Sequence, residues 1–264
     1  MTELESKPKR LAKKRTRKHV QLTLDQSRTP TGHGGWRPGA GRPRGRTKVA
    51  HERREHVAPS CPQHITLRLV AGLGSLRAAR RVAIVRDAIR QGQRDTFRIV
   101  HFTVLGNHVH LIVETPSAMA RARGVQGLKV RIARRLNPQL GRRGALFADR
   151  YHARALTSPR EVRNAIRYVL NNARHHEVEA GMLLDRDWID PCSSAAWFDG
   201  WTRPIRADAP WKRDLLAMPP PTVPPTVWLL ATGWKRHGRL AFEEVPGDRR
   251  VHEEVRSRAA RSGR

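Results

Sequence analysis

The chain has 264 residues, of which 52 are Lys or Arg and 23 are Asp or Glu, giving a formal net charge of +29 at pH 7. So large a positive charge says little about fold, but it favours polyanionic partners, above all nucleic acid. No apolar run approaches the roughly 18 residues that a membrane span needs. We therefore expect a cytoplasmic, basic protein with no membrane partner.

The positive charge is concentrated towards the amino terminus. Residues 1–60 contain 16 Lys and Arg against 5 Asp and Glu, with few apolar side chains, which predicts a disordered DNA-binding arm. Within it, Arg42, Arg44 and Arg46 stand in a Gly- and Pro-containing run that resembles an AT-hook. Arginines of this kind favour a narrow, electronegative minor groove. A merely solvated basic arm would have much the same composition and remains the alternative.

A β-hairpin is predicted over residues 97–115. Two runs of strand type, 97–105 and 108–115, flank Gly106-Asn107, a pair that suits a two-residue type II′ turn. That register places Thr103 opposite His110 and His101 opposite Ile112.

His108 and His110 lie two residues apart on the second strand of this hairpin, so their side chains share one face. Two imidazoles in this arrangement can reach a single cation. His101 lies diagonal to His110 on the same face and is a further candidate. Alternatively, such a pair is an ordinary surface feature, as many His-x-His sequences are.

The other elements of a folded body over 61–180 follow from periodicity. We predict a strand at 64–69, a helix from Ser75 to about Gln91, a helix from Ser117 to about Leu136, and a strand within 147–157. The second helix has a basic outer surface that includes Lys129 and Arg134. Strands and helices mixed in this way predict an α+β fold with an antiparallel sheet.

A third helix has a strong start signal in Ser158-Pro159-Arg160-Glu161, with an N-cap serine, proline at the first helical position and glutamate two residues later. On one of its faces, Tyr168 and Asn172 are one turn apart, with His175 just beyond. A mid-helix tyrosine is more often a core or rim residue than a functional one. The hairpin histidines make the functional interpretation worth testing.

Three motifs together resemble the HUH endonuclease superfamily, and most closely the REP-associated tyrosine transposases, which are single-tyrosine enzymes. They are Gly106-Asn107-His108-Val109-His110-Leu111, Asp149-Arg150-Tyr151-His152-Ala153-Arg154 and Tyr168-Val169-Leu170-Asn171-Asn172. The resemblance covers about residues 62–180. It implies a ferredoxin-like, RRM-like sheet and a catalytic domain over 61–180.

The resemblance also implies a chemistry. His108, His110 and Asn172 would hold Mg²⁺ or Mn²⁺, with His175 a less favoured substitute for Asn172. Tyr168 would attack a phosphodiester of single-stranded or hairpin DNA, at repetitive palindromes, giving a 5′-phosphotyrosine and a free 3′-hydroxyl. Tyr151, the other tyrosine of the chain, is assigned a structural or DNA-contacting role. The expected DNA contacts are Arg42, Arg44, Arg46, Lys129, Arg134, Arg150 and Arg154.

Two other functions stay open at this stage. One is a non-catalytic basic DNA-binding module that keeps the fold, and the other is an HUH replication or conjugation nickase. Residues 181–264 are expected to form an extension with a Pro-rich linker near 219–225. Within it, the segment 227–237 is either a DNA-contacting helix or a docking helix. We expect the protein to be a monomer or homodimer.

Overall fold

The computed structural model describes residues 58–148 and 150–246. Arg42, Arg44, Arg46 and Asp149 lie outside these ranges, as does almost all of the predicted arm. The strands are β1 (Gln63–Arg68), β2 (Arg98–Val104), β3 (His108–Glu114) and β4 (His152–Ala155). The helices are α1 (Ala79–Gly92), α2 (Ala118–Gln139), α3 (Pro159–Glu179), α4 (Pro210–Ala217) and α5 (Trp228–Ala231), with 3₁₀ turns at Ala195–Trp197 and Gly233–His237. In the described part of the chain, no helix is long and apolar enough to cross a membrane.

The four strands form one antiparallel sheet in the order β2-β3-β1-β4. With α1 between β1 and β2, and α2 between β3 and β4, this is the ferredoxin-like arrangement, so the predicted fold class is confirmed. The predicted hairpin register is also correct, because Thr103 pairs with His110 and His101 pairs with Ile112.

The hairpin loop is not the predicted type II′ turn, because Gly106 is not among the glycines with positive φ. Its shape follows instead from contacts with the segment between β1 and α1. The carbonyl of Gly106 accepts a hydrogen bond from the Leu76 amide, and the carbonyl of Asn107 accepts one from the Leu69 amide. Long-range bonds of this kind outweigh the local preference of a Gly-Asn pair.

The sheet is covered on both faces. Its first face packs on α1 and α2, and Val125, Leu128, Ile132 and Leu136 of α2 are buried there. Close packing explains Gly124, since a β-carbon at this position would come within 2.1 Å of the Phe97 ring. The second face packs on α3, whose apolar stripe includes Val162, Ile166, Val169, Leu170 and Ala173.

Two predicted boundaries are wrong. Helix α1 begins at Ala79 rather than after Ser75, whose hydroxyl instead accepts from the Arg77 amide in the preceding loop. The predicted strand over 147–157 is reduced to the four residues of β4, with one isolated bridge between Leu69 and Phe147. Helix α3, by contrast, begins as predicted, because the Ser158 hydroxyl accepts from the Glu161 amide at 3.2 Å.

The region after α3 packs back onto that helix. Trp234 is 1% exposed within the second core. Arg163 of α3 forms a bidentate ion pair with Glu244, at 2.7 and 3.0 Å, and Asn171 donates to the Glu244 carbonyl at 2.8 Å. The segment containing α5 is therefore docked against the body, as one of the two interpretations expected.

Candidate active site

Strands β1 and β3 and helix α3 bring three histidines and one tyrosine together. The His110 ring lies 4.6 Å from the His108 ring, 5.0 Å from the His64 ring and 5.1 Å from the Tyr168 ring, between centroids. The His64 and Tyr168 rings are 5.6 Å apart. We call His64, His108, His110 and Tyr168 the histidine site.

His110 has its two ring nitrogens in different surroundings. Its Nδ1 lies 3.1 Å from His64 Nε2 and 3.1 Å from the Thr66 hydroxyl. Its Nε2 is buried without a hydrogen-bond partner in the described structure. Since the partners at Nδ1 can hold the proton there, Nε2 is the nitrogen left to bind a ligand.

His108 and Asn172 complete the set of potential ligands that the sequence predicted. His108 Nδ1 lies 2.6 Å from the Asn107 side-chain oxygen, which again leaves Nε2 as the available nitrogen. Asn172, one turn beyond Tyr168, is 2% exposed, and its Nδ2 has no hydrogen-bond partner in the described structure. Because the two ends of a carboxamide are interchangeable by rotation, Oδ1 can occupy the position of Nδ2.

The charge states of the histidines suit cation binding. Burial, followed by the nearby His64 and His108, lowers the pKa of His110 to about 2. Burial also lowers the pKa of His64 to about 4, with further contributions from His152 and Arg154. The pKa of His108 is lowered as well, mainly by burial. All three rings are therefore neutral near pH 7, the form in which imidazole binds metals.

The chemistry of the donor atoms at this site fits a divalent cation. The available donors are two imidazole nitrogens and a carboxamide, a mixed N/O set without thiolate, which argues against a structural zinc site. The described residues contain no group of three or more His, Cys, Asp or Glu side chains arranged for a metal. The predicted third ligand, Asn172, lies one turn beyond Tyr168 on α3 and would have to supply an amide oxygen.

The other candidates lie elsewhere or have other partners. His101 packs edge-on against Phe198 at 5.3 Å, because the segment after α3 covers that part of β2. His175 Nε2 lies 3.2 Å from a Glu179 carboxylate oxygen. His176 is the residue at the end of α3 that acts electrostatically on both His108 and His110.

His64 is the member of the site that the sequence analysis missed. Its signal was present, since alternation along the predicted strand 64–69 puts His64 and Thr66 on the face opposite to the apolar Ile65, Leu67 and Leu69. Pairing β1 with β3 places Thr66 directly opposite His110. The missing information was therefore the order of strands in the sheet rather than the identity of a motif.

The predicted DNA-contacting residues in the described structure occupy two sides of β4. Arg154 is on the side of the histidine site and forms an ion pair with Glu161 at 2.7 Å. Lys129 and Arg150 line a groove along α2, and Arg134 is exposed on the same helix. Tyr151 also lines that groove and packs against the first core, whereas Tyr168 packs against the second.

Comparison with known proteins agrees with the resemblance seen in the sequence. The family model of IS200-like transposases matches residues 82–172, a stretch that contains His108, His110, Tyr168 and Asn172. The resemblance to these transposases is thus confirmed for this region. A solved structure of a REP-associated tyrosine transposase bound to a REP hairpin is 20% identical, covering 55% of this chain and 82% of that chain with a TM-score of 0.42. No curated protein matches the sequence.

Proposed function

We propose that this chain, with its IS200-like transposase region, cleaves and rejoins single-stranded DNA through a covalent bond to Tyr168. The observation that carries this proposal is the contact of the Tyr168 ring with His110 and His64. It lies beside His110 Nε2, which has no hydrogen-bond partner in the part of the chain that the structure describes. A nucleophile and a cation site on the same small patch are what a phosphodiester transfer requires.

In the proposed step, the Tyr168 hydroxyl oxygen forms a bond to the scissile phosphorus and the bond from phosphorus to the 3′ oxygen breaks. The phenolic proton is lost, and the departing oxygen takes up a proton to become a free 3′-hydroxyl. The product is a 5′-phosphotyrosine. Attack on it by another 3′-hydroxyl reverses these changes and joins a new strand without a separate energy source.

His108, His110 and Asn172 are proposed to hold Mg²⁺ or Mn²⁺ beside Tyr168. When bound, the cation would polarise the scissile phosphate and offset the negative charge that develops on it. The protein's own contribution is orientation. Tyr168 and Asn172 stand one turn apart on a helix that is capped at Ser158 and packed along its length, so their relative position is fixed before DNA arrives.

We propose that hairpin DNA from repetitive palindromes is the substrate, held by the basic residues around β4 and by the amino-terminal arm. The segment that contains α5 would add a further contact. There, Trp228 is 49% exposed and the Arg236 guanidinium lies 4.9 Å from its ring centroid, an arrangement on which an unpaired base can stack.

The proposal is tested with Tyr168→Phe and labelled single-stranded oligonucleotides. This change removes one oxygen and little volume, so folding and DNA affinity should stay close to those of the unaltered protein. The covalent adduct should disappear completely, because phenylalanine has no group that can attack phosphorus. Denaturing gel electrophoresis and mass spectrometry of the trapped adduct provide the measurement.

Tyr151→Phe is the matched control and should still form the adduct. An adduct mapped to Tyr151 would contradict the assignment of the nucleophile. Failure of the unaltered protein to form an adduct with hairpin or linear single strands would leave a DNA-binding module as the function. Nicking followed by covalent attachment only at a single replication or transfer origin would instead indicate a nickase.

A further inference from the structure

A groove of about 740 Å³ lies between α2 and the two segments 145–148 and 150–151, away from Tyr168. We call it the α2 groove. Its walls are mainly apolar and include Val125, Leu146, Phe147 and Tyr151. Lys129 also lines it, with its ammonium 5.6 Å from the centroid of the Phe147 ring. An apolar groove of this size with a few polar groups is typical of a ligand site.

Arg121 lines this groove and is 2% exposed. Its Nη1 donates to the Gln63 side-chain oxygen, and Gln63 in turn donates to the Thr115 hydroxyl at 3.0 Å. Its Nε has no hydrogen-bond partner in the described structure. Burial lowers the pKa of Arg121, and none of the ion pairs within the described residues includes it.

A buried guanidinium without a carboxylate partner is costly, and a folded protein normally supplies a counter-charge. With Nη1 held by Gln63, the edge formed by Nε and Nη2 is the one still able to donate. This edge offers two parallel N–H groups, which match two adjacent acceptor atoms. Nucleic acid presents such pairs in two places, as O6 and N7 of guanine and as the oxygens of a phosphate.

We propose that the α2 groove binds one unpaired nucleotide of the DNA, with the Arg121 Nε–Nη2 edge donating to a pair of adjacent acceptors on it. Tyr151, half-buried on the groove wall, supplies aromatic surface for the base, and Lys129 and Arg150 supply positive charge. The inference takes DNA as the partner from the proposed function, but it does not depend on cleavage.

The position of β4 connects this groove with the histidine site. β4 is an edge strand, next to β1. Tyr151 and Ala153 pack towards the first core, beside the groove, whereas His152 and Arg154 act electrostatically on His64. A single strand passing around this edge can therefore occupy the groove with one nucleotide while another lies at Tyr168.

The experiment compares Arg121→Gln with Arg123→Gln in the full chain carrying Tyr168→Phe, so that binding is measured without covalent capture. Both changes remove one positive charge from α2, but Arg123 is exposed and does not line the α2 groove. We expect Arg121→Gln to raise the Kd for single-stranded DNA about 10- to 100-fold, as for loss of a bidentate base contact. Arg123→Gln should change it no more than about threefold. Equal effects of the two changes would overturn the proposal.

Thermal unfolding separates a ligand-binding Arg121 from a structural one. Arg121→Gln removes a buried charge that has no ionic partner in the described structure, and it also removes the hydrogen bond to Gln63, so these opposing effects should leave the Tm little changed. A Tm lowered together with DNA affinity would be the sign of a structural role. Ala122→Trp then decides, since Ala122 is exposed on the groove wall and a large ring there blocks the groove without altering Arg121. Undiminished DNA binding by folded Ala122→Trp would refute the proposal.

Modified oligonucleotides identify the acceptors. If a guanine is bound, 7-deazaguanine at one position should abolish the affinity difference between the Arg121 and Arg123 variants. If a phosphate is bound, a methylphosphonate at one linkage should abolish that affinity difference. No effect of either modification at any position would contradict nucleotide binding. The two proposals can also fail separately. If DNA affinity depends on Arg121 but the protein forms no tyrosine adduct, the α2 groove still binds DNA and the proposed cleavage is wrong.

Discussion

At the scale of single residues, the two ring nitrogens of His110 explain why a strand histidine can act as a ligand. Nδ1 has partners within the protein, whereas the buried Nε2 has none among the described residues. We predict that the double variant His108→Ala, His110→Ala loses DNA cleavage but retains DNA affinity. In the unaltered protein, EDTA should abolish cleavage, and Mg²⁺ or Mn²⁺ should restore it. Cleavage assays over a metal titration provide the test, and undiminished cleavage by the double variant would disprove the ligand assignment.

His64 should act on the metal through His110. Removing the His64 ring takes away one of the two groups that orient His110 Nδ1, the other being Thr66. Loss of such an outer partner typically costs 10- to 100-fold in metal affinity. His64→Ala should therefore raise the Mn²⁺ concentration for half-maximal cleavage by about this factor, with recovery at high Mn²⁺. His237→Ala, an exposed change in the 3₁₀ turn Gly233–His237, serves as control. An unchanged Mn²⁺ requirement would show that His64 does not position the ligand.

At the scale of elements, the sequence correctly predicted the features that residues close in sequence determine. The start of α3 was correct because Ser158 and Glu161 satisfy the first turn by themselves. The hairpin register was correct because alternation on both strands leaves few choices. The start of α1 and the Gly106 turn were wrong because contacts distant in sequence determine them. The pairing of β1 with β3, and with it the place of His64, required the order of strands, which no local pattern contains.

The contact between β2 and the segment after α3 should make folding sensitive to acid. Burial lowers the pKa of His101 to about 4, although Asp199 acts in the opposite direction. Because the folded pKa lies below the ordinary value of about 6.5, stability is fully present above pH 6.5 and is lost as the pH falls towards 4. The loss can reach about 3 kcal/mol for a shift of this size.

His101→Leu tests this contribution, because it keeps an apolar contact with Phe198 and cannot take up a proton. Urea unfolding at pH 7 and at pH 4.5 should show a smaller acid-induced loss of stability in the variant than in the unaltered protein. The other buried histidines remain in both proteins, so the difference between the two profiles isolates His101. Identical profiles would show that His101 is not protonated on unfolding in this range.

At the scale of the whole molecule, the positive charge is divided between the folded body and the arm. Residues 61–180 contain 22 Lys and Arg against 7 Asp and Glu, whereas residues 181–264 contain 14 against 11. Several arginines of the body are committed to ion pairs, among them Arg77 with Asp190 and Arg163 with Glu244. The arm has few acidic residues to neutralise its cations. We therefore expect the arm to contribute more to DNA affinity, per residue, than the rest of the chain.

Deleting residues 1–57 should therefore reduce the salt dependence of DNA affinity. Each phosphate neutralised contributes roughly 0.7 to 0.9 to the slope of log affinity against log salt, so loss of several contacts is measurable by titration at four or five salt concentrations. Cleavage of saturating DNA should persist, because no proposed catalytic residue lies in the arm. An unchanged salt slope after the deletion would show that the arm takes no part in binding.

Replacing Arg42, Arg44 and Arg46 together by Ala distinguishes minor-groove binding from general electrostatic attraction. If the AT-hook resemblance is functional, DNA binding by this variant should lose its preference for AT-rich duplex flanks. Replacing Lys13, Lys14 and Arg15, a cationic cluster in the same arm, should instead weaken binding to all sequences alike.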